Sequence, residues 1–259
     1  MRTLFLASTT LWRREIVRFY RQPNRVIGAV GTPLLFWFML GSGVGRSFQS
    51  EGTHQNYSLY VLPGMIVLVL LFTAIFSTIS IIEDRREGFL QSVLVAPVAR
   101  PVVVFGKVLG GASLAILQAI VLIALAPLAG AHFAPWALPE LLGILIVLGL
   151  GLTSLGFFIA WRMQSIQGFH AVMNLFLLPL WVLSGALFPA QGAASWLRVL
   201  IALNPLSYGL AAVRRLLLTD PGPGVPSLAA GWAVSLLFAV AAFAAACVVA
   251  KGHTRGDLL

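Results

Sequence analysis

Few residues in this chain could bind a nucleotide or act as a catalyst. The phosphate-binding loop G-x-x-x-x-G-K-[ST] is absent, because Val108 follows Gly106-Lys107 and Pro101 stands where the first glycine would be. The chain therefore lacks the backbone cradle that holds ATP phosphates in that loop. We predict that it is not an enzyme and that it does not hydrolyse ATP by itself.

Metal and thiol chemistry are equally poorly supported by the sequence. The four histidines, His54, His132, His170 and His253, lie on different segments and near no cysteine or paired carboxylate. Because a metal site needs ligands that converge, we predict no metal and no cofactor in this chain. The single cysteine, Cys247, lies in an apolar run, so an intramolecular disulfide is excluded.

Intramembrane serine proteolysis is the most plausible enzymatic alternative. Gly111-Ala112-Ser113 offers a nucleophile at one end of a predicted span, but His132 lies beyond the other end of that span. A serine nucleophile needs its base within hydrogen-bond distance. The sequence therefore does not favour a protease.

Uncharged polar side chains inside apolar segments are the remaining candidates for contact with a solute. Interhelical hydrogen bonding accounts for most of them, and lining a translocation route is the alternative. The candidates for such a lining are Thr73, Ser77, Gln118, Asn174 and Ser184. No Asp, Glu, Lys or Arg lies in these segments, so ion or proton coupling is not indicated. Uphill transport would need another source of energy.

The composition is that of an integral membrane protein. Of 259 residues, 59% are apolar and only 10% are charged, and the mean hydropathy is +0.94. A soluble domain has about 25% charged residues. The net charge of +9 serves topology and headgroup contact in such a protein, so we predict no nucleic-acid partner.

Six apolar segments are long enough to cross a bilayer as helices. They are residues 26–45, 59–82, 108–131, 141–161, 171–189 and 228–250. The connecting segments carry 13 Lys and Arg on one side of the membrane and 4 on the other. The positive-inside rule therefore places both termini in the cytoplasm. Glycines of the fourth segment allow close helix contact, either within the chain or at a dimer interface.

Residues 5–22 are predicted to form an amphipathic helix in the cytoplasmic membrane interface. Apolar and basic residues recur at helical spacing on nearly opposite faces. The apolar set is Trp12, Ile16 and Phe19, and the basic set is Arg14, Arg18, Arg21 and Arg25. We expect the arginines to face anionic headgroups. The alternative is a basic tail that only sets the topology.

The long connection 83–107 contains a charged run, Glu83-Asp84-Arg85-Arg86-Glu87, followed by Gly88 and a mixed segment that ends at Pro97. This pattern is typical of a short cytoplasmic helix. Such a helix is suited to docking in a groove of a soluble partner. A solvated loop is the alternative.

Residues 195–217 are predicted to form two short helices that meet at Asn204-Pro205 and dip into the outer leaflet. The segment is too apolar for a free loop and is interrupted at this step. Re-entry would protect Leu200, Leu206 and Leu210 from water, and Arg214 would reach the outer headgroups. The alternative is an amphipathic surface segment.

Taken together, these motifs resemble the ABC-2-type permeases, the membrane subunits of bacterial ATP-binding-cassette exporters for drugs, polyketides, lipo-oligosaccharides and polysaccharides. The resemblance covers the whole chain. It is carried by the N-terminal helix, Leu62-Pro63-Gly64, Arg86-Glu87-Gly88, Leu94-Val95-Ala96-Pro97-Val98, Gly106-Lys107, Leu183-Ser184-Gly185-Ala186-Leu187-Phe188-Pro189, and Leu203-Asn204-Pro205-Leu206-Ser207-Tyr208 with Arg214.

The resemblance implies one all-α permease domain over residues 1–259, with six spans, an interfacial helix, a coupling helix and an external hairpin. It implies a homodimer that works with two copies of a cytoplasmic ATPase, which carries the ATP and magnesium. The expected location is the bacterial inner membrane, in contact with its lipids. The expected cargo is a lipophilic or amphipathic drug, lipid or glycolipid. A membrane scaffold or assembly factor that transports nothing is the alternative.

The resemblance also assigns roles to residues. The ATPase-coupling set is Asp84, Arg85, Arg86, Glu87, Gly88, Phe89, Leu90 and Pro97. The interfacial helix set is Trp12, Arg14, Ile16, Arg18, Phe19 and Arg21. The external hairpin set is Asn204, Pro205, Leu206, Tyr208 and Arg214. Phe89-Leu90-Gln91 stands where relatives often have Thr-Leu-Glu, so an acidic contact is missing there.

Overall fold

A computed structural model describes residues 2–44, 57–90, 93, 99–131, 134–222 and 224–252. These residues form ten α-helices and no strand. The helices are α1 (Arg2–Tyr20), α2 (Pro23–Val44), α3 (Tyr57–Ser77), α4 (Ile79–Arg86), α5 (Arg100–Leu125), α6 (Leu138–Arg162), α7 (Ile166–Trp181), α8 (Ser195–Leu203), α9 (Pro205–Leu217) and α10 (Leu228–Lys251). Pro97 and Gln91 lie outside the described residues.

The predicted all-α membrane fold is confirmed. Within the described ranges, five helical segments are long and apolar enough to cross a membrane. They are Tyr57–Arg86, Arg100–Leu128, Pro135–Arg162, Ile166–Ala186 and Leu228–Lys251. The pair α8–α9, bent by 83°, would make a sixth if it counts as one span. The predicted first span lies on α2, whose 22 residues rise about 33 Å at ~1.5 Å each, and its crossing stays a prediction.

Helix α3 forms the centre of the bundle. It is apolar on all sides, and nearly all of its length is buried by the surrounding helices. Gly64 allows α3 to approach the end of α7, because a Cβ at this position would lie 2.9 Å from the Cβ of Ala186 and 3.0 Å from its carbonyl oxygen. The Trp181 indole also donates a hydrogen bond of 2.8 Å to the Gly64 carbonyl.

Helix α1 packs lengthwise on α5 through a pair of glycines. A Cβ at Gly106 would lie 3.0 Å from the Cβ of Leu11, and one at Gly110 would lie 2.7 Å from the Cβ of Glu15. Small residues spaced by four allow two helix backbones to come close. The inward face of α1 is therefore Leu11, Glu15 and Phe19, which are all buried.

The glycines of the fourth predicted span serve internal packing. A Cβ at Gly143 would lie 2.8 Å from the Trp232 ring, and one at Gly151 would lie 2.9 Å from the Phe238 ring, so α6 and α10 fit closely together. At Gly156 the neighbour is Thr78, between α3 and α4. These contacts favour the internal alternative over a dimer interface for these glycines.

The long connection is shorter in the structure than in the prediction. Helix α4 extends to Arg86 and α5 already begins at Arg100, so residues 100–107 are helical. Lys107 therefore lies inside the bundle, 6% exposed, and not in a cytoplasmic loop. Because α3 and α4 run on from Tyr57 to Asp84, about 40 Å by helical rise, the bundle has two distant ends. We call them the α4 end and the hairpin end.

Candidate functional site

A network of charged side chains joins α1, α4 and α5 at the α4 end. This charge cluster consists of Arg14, Glu15, Arg18, Glu83, Asp84 and Lys107. Asp84 has no exposed surface. It accepts hydrogen bonds from Arg14 on both carboxylate oxygens, at 2.9 and 2.7 Å, and one of 2.7 Å from Arg18. Lys107 also pairs with Asp84 and donates to Glu15 at 2.6 Å.

The cluster holds three helices in one fixed arrangement. Its three cations and three carboxylates have formal charges that cancel. Burial of a charge is costly unless geometry and hydrogen bonds compensate for it, and bidentate pairing of an arginine with a carboxylate supplies both. Desolvation by burial lowers the pKa of Arg14, but its hydrogen bond and attraction to Asp84, with Glu15 and Glu87, outweigh this, so the pKa is raised. Arg14 therefore stays charged.

The structure corrects the prediction for the interfacial arginines. Arg14 and Arg18 turn toward α4 and not toward headgroups, because buried carboxylates there need their charge. Arg21 is exposed, and its contact with headgroups stays a prediction. Among the apolar set, Phe19 is buried, Ile16 is partly buried, and the Trp12 indole donates a 3.0 Å hydrogen bond to the Ser113 hydroxyl.

Several residues of the predicted coupling set are packed inside the protein, whereas the short helix predicted to end at Pro97 lies largely outside the described residues. Asp84 is buried in the charge cluster, so it cannot contact a soluble partner. Arg85 donates to the carbonyls of Trp161 at 2.7 Å and Met163 at 3.1 Å. Arg86 donates to the Gln164 carbonyl at 3.1 Å. The two arginines thus hold the end of α4 against the turn between α6 and α7.

Among the described residues of the predicted coupling segment, the surface open to a partner lies at the end of α4 and just after it. Arg86 and Glu87 are exposed, and Gly88 has a φ of +75° that favours glycine. The Cζ atom of the Arg14 guanidinium lies 3.8 Å from the centroid of the Phe89 ring. Leu90 is buried. Phe89 thus adds an aromatic contact to the charge cluster.

An apolar groove of about 450 Å³ lies beside the charge cluster. Its walls come from α1, α2, α3, α4 and α7. The lining residues are Phe19, Gln22, Gly28, Thr32, Pro33, Phe72, Thr73, Phe76, Ile79, Glu83, Ile166 and His170. The His170 ring packs against Phe76 at 5.3 Å between centroids. Glu83 belongs to both the groove and the charge cluster.

The five predicted lining residues do not converge on one route. Thr73 lies on the groove wall and contacts Gln118, which is buried behind it. Ser77 is buried and donates to the Ala74 carbonyl at 2.6 Å. Asn174 lies on the exposed face of α7. Ser184 is buried at the hairpin end and does not line the groove. Of the five, Thr73 alone lines the groove in the part of the chain that is described.

The hairpin end has the predicted break. The Asn204 side chain caps α9, because its oxygen accepts from the Leu206 amide at 2.9 Å and its nitrogen donates to the Leu180 carbonyl at 2.6 Å. Pro205 occupies the first turn of α9, where its missing N–H costs nothing. The Tyr208 hydroxyl donates to the Ala202 carbonyl at 3.1 Å.

Burial in the hairpin differs between its two arms. Leu206 and Leu210 of α9 are buried against the bundle, whereas Leu200 of α8 is 41% exposed. The prediction that Arg214 reaches the outer headgroups is wrong, because its side chain turns inward. Its guanidinium lies 4.3 Å from the centroid of the Tyr60 ring and donates to the Gly185 carbonyl at 3.1 Å. Gly185 lies just after α7 and has a φ of +83°, so the chain leaves helical geometry at this residue.

Sequence reasoning did not identify Glu15 and Lys107 as site residues. Each of the two residues nevertheless has one unusual feature in the sequence. Glu15 is the only acid in the first 50 residues, and Lys107 is one of two lysines in the chain. Neither signal names a partner, because Glu15 and Lys107 are 92 positions apart.

Comparison with known proteins agrees with this architecture. The family described as ABC-2 type transporter matches residues 7–218. The chain is 27% identical over 207 residues to a putative transport permease, ycf38, of Cyanophora paradoxa, covering 79% of this chain and 71% of the relative. It is 26% identical over 225 residues to the probable doxorubicin resistance ABC transporter permease protein DrrC of Mycobacterium tuberculosis, covering 84% and 79%.

A third relative is nodulation protein J of Neorhizobium galegae, which is 25% identical over 222 residues and is aligned over 83% of this chain and 82% of its own length. The matched family region includes the charge cluster, the groove and both arms of the hairpin. With membrane-spanning helices and a family match over most of its length, the chain belongs to the ABC-2 type transporter family and is a transport permease.

Proposed function

We propose that this permease exports a lipophilic or amphipathic compound and that a separate cytoplasmic ATPase, with its ATP and magnesium, supplies the energy. The observation that carries the proposal is the groove beside the charge cluster. Its volume of about 450 Å³ lies within the range of ligand sites, roughly 300–1,000 Å³. One similar protein is named as a probable doxorubicin resistance permease, and this name supports an amphipathic cargo.

The chemistry of the groove favours a cargo with a large apolar part. Phe19, Phe72 and Phe76 supply aromatic surface, while Thr73 and His170 supply polar contacts. Apolar walls with a few polar groups are typical of small-molecule sites. Glu83, which pairs with Arg18 at 2.9 Å, adds a polar edge next to the aromatic rings, and this suits a cargo that carries a hydroxyl group.

A tryptophan in the groove tests this assignment. Thr32→Trp places a large ring on the groove wall, whereas Leu35→Trp changes an exposed position of the same helix. With the permease–ATPase complex in nanodiscs and doxorubicin as the probe, we expect Thr32→Trp to lower doxorubicin-stimulated ATP hydrolysis by about tenfold. Leu35→Trp should behave as wild type. Equal stimulation in both variants would show that doxorubicin does not use the groove.

Coupling to the ATPase is proposed to run through the exposed surface after α4. Arg86 and Glu87 offer charges there, and Gly88 turns the chain away from α4. The charge cluster ties α4 to α1, so a displacement of α4 moves Phe19 at the groove wall. ATPase motion would thus reach the groove through ion pairs and not through a flexible loop.

Gly88→Ala tests the coupling surface. The substituted residue would have to hold a φ of +75°, which costs an L residue about 1–2 kcal/mol, so the segment after α4 should relax to another direction. We expect several-fold less doxorubicin transport per ATP hydrolysed in proteoliposomes. Gly130→Ala is the matched control, with a φ of +83° and open space around it, outside the α4 segment. Similar losses in both variants would point to general strain.

We propose a homodimer with two ATPase copies, multi-pass in the bacterial inner membrane with both termini cytoplasmic, and residues 1–259 acting as one domain. Exposed apolar residues on α2 and α7 offer surface to lipid or to the second copy. They include Phe36, Phe38, Met39, Leu175 and Phe176. A non-transporting scaffold would need no ATPase, so failure to co-purify with one would favour that alternative.

A further inference from the structure

A second cavity, of about 550 Å³, lies at the hairpin end. It is an open cavity that lies between α8, α9, the segment after α7 and the segment before α10. Two arginines, Arg198 and Arg214, line it, and no carboxylate does so in the described part of the chain. The cavity is therefore cationic, and it lies at the opposite end of the bundle from the groove.

Arg214 is a buried cation that lacks an anionic partner among the described residues. It is 6% exposed, and within the described ranges its Nη2 donates to two backbone carbonyls, those of Gly185 and Tyr60. Its Nε is buried and has no hydrogen-bond partner in the same part of the chain. A buried charge without a counter-ion is unfavourable, so this guanidinium, held rigid by the Tyr60 ring, is prepared for an anion.

Arg198 provides a second positive charge at the cavity wall. It is exposed on α8, and none of the ion pairs found in the described ranges involves it. Arginine side chains bind phosphate oxygens with paired hydrogen bonds. One buried and one exposed guanidinium on the same cavity thus offer paired donors to a phosphate group.

The surroundings indicate that the phosphate belongs to a lipid. The cavity is larger than a bare ion needs, and Ile201, Leu210 and Leu218 give it apolar walls. The neighbouring face of α8 exposes Trp196, Val199 and Leu203 at 66%, 57% and 75%. A lipid can therefore place its headgroup in the cavity and its acyl chains along α8. We propose that this cavity binds the phosphate headgroup of an anionic membrane lipid.

This inference does not depend on the transport proposal, because it concerns a different cavity and requires no ATPase. The test uses the purified full chain in a neutral detergent and isothermal titration calorimetry. The probes are dioctanoyl phosphatidylglycerol, the uncharged dioctanoylglycerol and inorganic phosphate. The variants are Arg214→Gln, Arg198→Gln and the control Arg13→Gln, which removes an exposed charge at the α4 end.

We expect wild type and Arg13→Gln to bind dioctanoyl phosphatidylglycerol equally, and Arg198→Gln and Arg214→Gln to bind it about tenfold or more weakly. Arg198 is exposed, so its variant should keep the wild-type size-exclusion profile even if Arg214→Gln misfolds. Dioctanoylglycerol should bind weakly and independently of Arg198. Unchanged affinity in a folded Arg198→Gln would overturn the proposal. Inorganic phosphate that binds as tightly as the lipid would reject the lipid assignment and leave a site for free phosphate.

Discussion

Asp84→Asn is expected to lower the free energy of unfolding by about 3–5 kcal/mol, the usual cost of breaking a buried ion pair. The variant removes one of three carboxylates and leaves Arg14, Arg18 and Lys107 with an excess positive charge in a buried site. Thermal unfolding of the purified chain, followed by tryptophan fluorescence, measures this directly. We also expect the yield of monodisperse protein to fall.

Two further variants define the cause of that loss. Glu87→Gln makes the same chemical change on an exposed carboxylate of the same segment, where the pair with Arg18 is 3.5 Å long, and should cost less than about 1 kcal/mol. Adding Lys107→Met to Asp84→Asn restores charge balance and should recover part of the stability. If Asp84→Asn unfolds at the wild-type temperature, the cluster does not hold α1, α4 and α5 together.

Gly64→Leu is the second substitution with a large expected effect, a loss of about 3 kcal/mol of unfolding free energy. Its new side chain would occupy the space of Ala186, where the nearest atoms include backbone that cannot rotate away. The Trp181 hydrogen bond to the Gly64 carbonyl would be lost as the helices separate. Thermal unfolding is again the measurement.

Gly31→Leu is the matched control for that substitution. It makes the same change inside α2, where no atom lies within 4 Å of the built Cβ, and leucine is also the better helix former. We expect its unfolding temperature to equal or exceed that of wild type. A Gly64→Leu variant as stable as Gly31→Leu would mean that α3 does not pack on the end of α7 as described.

The charge cluster gives the coupling proposal a physical basis. The sequence predicts that the acidic and basic residues after the second span form a surface for a partner. The structure divides them into three groups, with Asp84 buried in the cluster, Arg85 and Arg86 bound to carbonyls, and Glu87 exposed. Variants at Asp84 therefore report on stability, and variants at Gly88 report on docking.

Re-entry of the hairpin into the membrane is best tested on its exposed arm. A charge at Leu206 would lie in a buried, apolar position, so the variant would lose stability and reveal nothing about re-entry. Leu200 and Leu203 are exposed on the other arm. Substitutions there leave the core intact and are suited to accessibility measurements.

Local features of this protein were determined by its sequence alone. Apolar runs of span length specify membrane helices, because the bilayer requires internal backbone hydrogen bonding over about 20 residues. The break at Asn204-Pro205 is equally local, since an Asn cap and a proline in the first turn act within one helix end. The all-α membrane fold follows from such signals.

The partners of the charged residues were decided only by the tertiary structure. Arg14 and Asp84 are 70 positions apart, and Arg214 contacts Tyr60 and Gly185 from a third element. Helical periodicity places a side chain on a face of its helix but does not say whether lipid, water or another helix covers that face. Here helix packing covers it, so arginines that the sequence predicts to face headgroups instead neutralise buried carboxylates or remain buried beside a cavity.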